Sequence, residues 1–161
     1  MGTRSGDIDP AAVDYLREKV GLTSAEVVNY LNKKCGMLGV SGLSSDMRDL
    51  TAAMEQGNEK AKLAIEMVAY RVKKYVGSYI AVLGGVDAVV FTGGIGEHSP
   101  LVRSLVMEGM EFCGAEFDAD KNENYEGGVG ELNKAGSKVK ILVVPTNEEL
   151  SIARETKTLV G

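Results

Sequence analysis

Four short stretches carry the side chains best suited to handling anionic oxygen. The first is Thr3-Arg4-Ser5-Gly6-Asp7. An arginine set among small residues offers a planar fork that grips an oxyanion in two places. The second is Asp46-Met47-Arg48. Its guanidinium suits stacking on a base or holding paired oxygens, although charges at a helix start equally serve as capping groups. The third is Gly93-Gly94-Ile95-Gly96-Glu97-His98, where glycine lets backbone approach a ligand closely. The fourth is Thr146-Asn147-Glu148-Glu149. A carboxylate near phosphates holds a magnesium ion, usually through water; Glu148 equally provides favourable charge at a helix N-terminus. His98 is the only histidine and has no partner identifiable in the sequence, so it reads as a residue beside a ligand rather than a general base. Neither a nucleophile–base pair nor a defensible pair of carboxylates is present.

The third stretch organises the rest. Val86, Ala88, Val89, Val90 and Phe91 form an apolar run long enough for one buried strand. Thr92 to Gly96 then turn the chain, and Ser99 and Pro100 read as the N-cap and first residue of a helix. A helix start presents unpaired N–H groups to an anion. Neither familiar phosphate motif fits. No Gly-Lys-Ser/Thr closes the turn, and Ser99 stands where a dinucleotide fingerprint has glycine or alanine. On these residues alone, a tight turn with no ligand remains an open reading.

Composition narrows the class. The chain has 161 residues, the size of one domain, with 44% apolar and 25% charged residues and a net charge of −5. The acidic balance, with no basic patch or interleaved aromatics, argues against nucleic acid. No apolar stretch reaches the roughly 18 residues of a membrane span, and no signal peptide is visible. The two cysteines, Cys35 and Cys113, lie far apart in apolar surroundings. They read as buried free thiols in a reducing compartment, which places the protein in the cytoplasm. The opening Gly/Ser/Asp-rich loop suggests a chain that starts in the middle of a larger one.

The elements that must position these groups follow from capping and periodicity. Asp9 and Pro10 start a helix to about Val20, and Thr23 or Ser24 starts another to about Lys34. Cys35 to Gly42 reads as a short glycine-punctuated extended segment. Ser44 to Asp46 cap a helix from Met47 to Gln56. The longest helix runs from Asn58 or Glu59 to Leu83, with Ala61, Ile65, Val68, Val72, Tyr79 and Leu83 at helical spacing. After the organising strand, a helix runs from Pro100 to about Met110 and buries Leu101, Val102, Leu105 and Val106. Residues 118–130 read as a polar loop with one helical turn near Asn122. Residues 131–144 read as a hairpin whose second strand, Val139 to Val144, is buried. Thr146 caps a final helix, with Glu149 completing a capping box and Leu150, Ile152, Ala153 and Leu159 facing inward. Helices followed by two strand–turn–helix units make an α/β layered domain. In such sheets ligands bind at the carboxyl ends of the strands, where the third and fourth stretches fall.

Taken together, GTRSGDIDP, SSDMRD, VDAVVFTGGIGEHSPLVR and VVPTNEELSIARET resemble the acetate kinases in order and spacing. The resemblance covers essentially all 161 residues but only the C-terminal portion of such a chain. It implies an α/β fold of the actin/Hsp70/sugar-kinase type (ribonuclease H-like), with a β-sheet flanked by helices, forming one of two domains around an active-site cleft. Residues 1–161 would be the C-terminal nucleotide-binding domain, which also carries the homodimer interface, and the N-terminal domain would lie upstream. The implied reaction is reversible transfer of the ATP γ-phosphoryl group to acetate, giving acetyl phosphate and ADP, with Mg²⁺ or Mn²⁺.

By the same resemblance, Arg4 would stabilise the transition state, in which charge spreads over equatorial oxygens. Asp46, Met47 and Arg48 would contact adenosine. Gly94, Ile95, Gly96, Glu97 and His98 would form the nucleotide loop, and Glu148 would be linked to the metal. His98 stands where the family commonly carries Asn. The family's other catalytic groups, an Asp near the acyl group, several His, another Arg and an Asn on the metal, are not in this chain, so alone it is expected not to turn over. The alternatives are half of a propionate or butyrate kinase, and a non-catalytic nucleotide-binding or dimerisation module. Tyr75 and Tyr79 on the long helix are expected either in the core or at the dimer surface.

Overall fold

A computed structural model describes residues 7–161. The chain forms two compact units that divide between Ala64 and Ile65, within one helix.

The first unit is helical. α1 (Pro10–Val20) starts where the Asp9 side chain accepts from the Ala11 N–H at 3.0 Å, and it ends at Gly21 in the left-handed conformation. α2 (Ser24–Lys33) opens on a reciprocal capping box between Thr23 and Glu26. α3 (Met37–Ser41) is a helical turn where extended chain was expected. Glycines at both ends, Gly36 (φ 64°) and Gly42 (φ 66°), confine it to five residues, too few for periodicity to reveal. α4 (Met47–Glu55) and the start of α5 (Glu59–Leu83) complete the unit. Val27, Met47, Leu50, Ala61 and Ala64 are its buried apolar residues. α1 buries none.

In the second unit α5 continues with Ile65 and Ala69 buried. Beyond them Val76 and Ile80 are half-buried and Tyr70, Val72, Val82 and Leu83 lie open, as do Tyr75 and Tyr79, which are therefore surface rather than core. β1 (Ala88–Phe91) follows, then α6 (Gly93–His98) and α7 (Pro100–Met107). A 3₁₀ turn at Glu111–Cys113 and α8 (Ala119–Glu123) lead to β2 (Gly130–Glu131) and β3 (Lys140–Val143). α9 (Glu148–Val160) comes last. The sheet has the order β1-β3-β2. β1 and β3 are parallel, with Ala88 opposite Lys140 and Phe91 opposite Val143, and β2 is antiparallel to β3. Buried Asn133 fixes the β2–β3 connection by accepting from the Ile141 N–H at 3.0 Å. Val89, Phe91, Val102, Val106, Met107, Leu132, Ile141 and Val143 fill the core.

Four expectations need correction here. The glycine stretch is not an open turn but a six-residue helix directly after β1. The last helix is capped by Asn147, whose side chain accepts from the Leu150 N–H at 3.0 Å, rather than by Thr146. Its Leu150, Ile152 and Leu159 are exposed, and none of its residues is buried. The two cysteines are free thiols, as expected, but half-buried. Among the described residues no helix is long and apolar enough to cross a membrane.

Candidate functional site

Arg4 lies outside the described residues. The first unit supplies Asp46, Met47 and Arg48. Asp46 is the N-cap of α4, its carboxylate accepting from the Arg48 N–H at 2.8 Å. The same carboxylate takes the Arg48 fork in two places, from Nε at 3.0 Å and Nη2 at 2.6 Å. The Arg48 guanidinium holds the Asp46 carboxyl down to about 2, and the pair raises Arg48 in turn. Met47 between them is buried, so its side chain belongs to the unit's core. Ser44 braces this start, its hydroxyl donating to Asp49 at 2.7 Å and accepting from the Asp46 N–H at 3.0 Å. The Arg48 side chain is 89% exposed, so its fork is accessible to a ligand while it pairs with Asp46.

The second unit brings the other two stretches together. Parallel pairing sets the ends of β1 and β3 side by side, and the Val144 N–H donates to the Phe91 carbonyl at 2.9 Å. The polar residues after both strands emerge at that edge. Glu97 joins them. Its carboxylate accepts from the Gly93 N–H at 2.8 Å, the Thr146 N–H at 2.9 Å and the Thr146 hydroxyl at 3.2 Å. The Thr146 N–H is the main reason that Glu97 sits below the usual carboxylate range; the Thr146 hydroxyl, the Gly93 N–H and nearby His98 add to it against the cost of burial. His98 ends α6 and is exposed, and Glu148 is the first residue of α9, also exposed.

The glycines of this turn have different reasons for being glycine. Gly93 has φ 70°, which side chains rarely adopt. A Cβ on Gly96 would stand 3.3 Å from the Phe91 backbone, so this residue lets α6 lie against the strand end. Gly94 has neither reason. Its φ is ordinary and a Cβ there would meet nothing within 4 Å. Local folding leaves position 94 free, which is what close approach of an external group to the backbone would need.

The donor set also limits what metal could be held. Among the described residues no group of three or more His, Cys, Asp or Glu could cage an ion. A lone exposed carboxylate such as Glu148 fits an ion that keeps most of its waters and takes its remaining ligands from substrate phosphates, as magnesium does.

One residue had no place in the sequence reading. Arg103, on α7, is completely buried. It donates through Nη1 to the carbonyls of Gly96 at 2.9 Å and Glu97 at 2.8 Å, and through Nε to the Asn122 side chain at 2.7 Å. Its guanidinium carbon lies 5.2 Å from the centre of the Tyr125 ring. The face read from helical spacing, Leu101, Val102, Leu105 and Val106, left it out; in the structure position 103 shares a face with buried Ser99, Val106, Met107 and Met110.

Comparison with known proteins agrees with this architecture. The model of the Acetokinase family matches residues 1–154. The acetate kinase of Caldicellulosiruptor saccharolyticus is 58% identical over 99% of this chain and 40% of its own length. That of Heliobacterium modesticaldum is 52% identical over 99% and 40%. The crystal structure of Porphyromonas gingivalis acetate kinase superimposes with a TM-score of 0.88 at 50% identity, over 100% of this chain and 40% of that one. A propionate kinase from Francisella tularensis gives 0.81 at 42% identity, over 96% and 39%. This chain thus spans about 40% of the length of the relatives it matches. Mixed α/β with a small three-stranded sheet, matched along nearly its whole length by a single family, the chain belongs to the acetokinase family.

Proposed function

We propose that this chain is the C-terminal, nucleotide-binding portion of an acetate kinase, which transfers the γ-phosphoryl group of ATP reversibly to acetate to give acetyl phosphate and ADP. The observation that carries the reading is the convergence of two strand ends. Glu97 ties the Gly93–His98 turn to Thr146, two residues before Glu148, at the carboxyl edge of a parallel pair. On this reading the fold is of the actin/Hsp70/sugar-kinase type, and the active site lies in a cleft completed by an N-terminal domain.

Each residue has a role suited to its chemistry. Backbone around Gly94, Ile95 and Gly96 lies along the nucleotide, where glycine permits contact. Arg48 and Asp46 meet the adenosine, and Met47 contributes only backbone there. Glu97 acts chiefly by holding the turn, and His98 borders the nucleotide. Glu148 holds magnesium through water, and the ion, when bound, neutralises charge on the phosphates. Arg4 serves as a cation for the transferring group, offsetting charge that gathers on its equatorial oxygens. The homodimer forms through this portion, with the exposed Tyr75 and Tyr79 on its surface, and the enzyme works in the cytoplasm. Propionate as acceptor is a second reading, favoured by the match to a propionate kinase. The ratio of kcat/KM for acetate and propionate separates the two.

The test uses the full-length enzyme with ATP and acetate. Gly94→Val should raise KM for ATP about tenfold or more, roughly the effect of losing 1.4 kcal/mol of binding, with KM for acetate unchanged. Arg4→Ala should lower kcat by about 10³-fold. An unchanged KM for ATP would remove the turn from the nucleotide site, and an unchanged kcat would remove Arg4 from the chemistry.

A further inference from the structure

Arg103 carries a full charge in the core, yet none of its hydrogen-bond acceptors is a carboxylate. Such burial is costly, and an apolar side chain of similar volume is often the more stable choice. What the guanidinium does there is specific. The last carbonyls of a helix have no partner within it. Arg103 takes two of them, those of Gly96 and Glu97, at the end of α6. Its other edge is fixed by Asn122, through Nε to the side chain and Nη2 to the carbonyl. Asn122 is itself buried and donates to the Pro100 carbonyl at 3.0 Å and the Ser104 hydroxyl at 3.1 Å. The Tyr125 ring covers the guanidinium, and Gly130 makes room for that ring, since a Cβ there would stand 2.7 Å from its edge.

A six-residue helix is not stable by itself. α6 has no side-chain N-cap. It is held by Glu97 on the Gly93 N–H, by the contact of Gly96 with Phe91, and by Arg103 on its terminal carbonyls. Thr146 reaches the turn from outside through the Glu97 carboxylate, and Arg103 is the outside group that takes its terminal carbonyls. We infer that Arg103 is a positioning residue that sets nucleotide affinity by fixing the glycine turn, without touching the nucleotide. The inference rests on the reading of that turn as the nucleotide site. Lysine cannot replace it, because an ammonium is a point charge and cannot bridge carbonyls on one edge and an amide on the other.

The experiment compares wild type, Arg103→Lys and Tyr125→Leu in the full-length enzyme, using Gly94→Val as the reference for the site. Mg-ADP binding is measured by calorimetry, and KM for ATP and for acetate by steady-state assay. Arg103→Lys should raise both Kd for Mg-ADP and KM for ATP by about tenfold, leaving KM for acetate within about twofold. A purely structural role would lower the yield of folded enzyme and kcat per milligram while leaving both nucleotide constants unchanged, and that result overturns the inference. Should Arg103→Lys fail to fold, Tyr125→Leu decides. A rise of about threefold in KM for ATP supports positioning, and no change overturns it. If Gly94→Val itself has no effect on KM for ATP, the reading of the site fails instead.

Discussion

Two arginine constellations in this chain use the same chemistry to different ends. Arg48 and Asp46 are two residues apart, at the start of a helix and open to solvent. Arg103 reaches carbonyls six and seven residues back and an amide nineteen residues on, in the core. An exposed pair is worth little to stability, because water and salt compete for both partners. It costs little to rearrange, so its fork can be lent to a ligand. A buried guanidinium has no such freedom, since releasing it would strand several polar groups without water. The first arrangement suits contact, the second position.

The comparison can be broken most directly at Arg103. Arg103→Met should strand the Gly96 and Glu97 carbonyls and destabilise the second unit by about 3 kcal/mol. Faster hydrogen exchange at α7 and β3 amides would report it, whereas Arg48→Ala should leave exchange in α4 unchanged while raising KM for ATP. Equal effects on exchange would erase the distinction. A smaller effect separates two glycines of one turn. Gly96→Ala crowds Phe91 and should cost about 1–3 kcal/mol by the same measure. Gly94→Ala should cost no stability and act on the nucleotide alone.

The smallest effect is electrostatic. Glu97 and Asp46 are both held below their ordinary values of 4.5 and 3.8, so the unfolded chain binds protons more readily. Their contribution is therefore present above those values and lost as the pH falls through the lowered ones. An NMR titration should show the Thr146 amide leaving its folded position below pH 4.5, and the Arg48 Nε–H persisting until about pH 2. Loss of either signal at its ordinary carboxylate value would show that the tie is not made.

Much of this was legible because it is local. Asp9, Thr23, Asp46 and Ser99 cap the helices that follow them, each through a contact within three residues. The strand Ala88–Phe91 and the partner strand Lys140–Val143 announced themselves as apolar runs. The failures are the features that depend on what lies elsewhere. The Glu97 carboxylate finds its donors 49 residues away, at Thr146, and no spacing rule reports that. Leu150, Ile152 and Leu159 have the pattern of a buried face, yet nothing in the described chain covers them. Arg103 lies between these cases. The spacing put the inward face of α7 at Leu101, Val102, Leu105 and Val106, which leaves position 103 outside it, and a charge among apolar neighbours reads as solvent-facing until its acceptors are known.

The strand order has a practical consequence. Among the described residues β1 pairs with β3 alone, so the other edge of Ala88–Phe91 has no described partner strand, and Val90 is half exposed beside it. An open edge of this kind is a template for another strand. Expressed as a separate piece at high concentration, this segment would be prone to self-association along that edge, and a lysine or proline introduced there would serve as a solubilising gatekeeper.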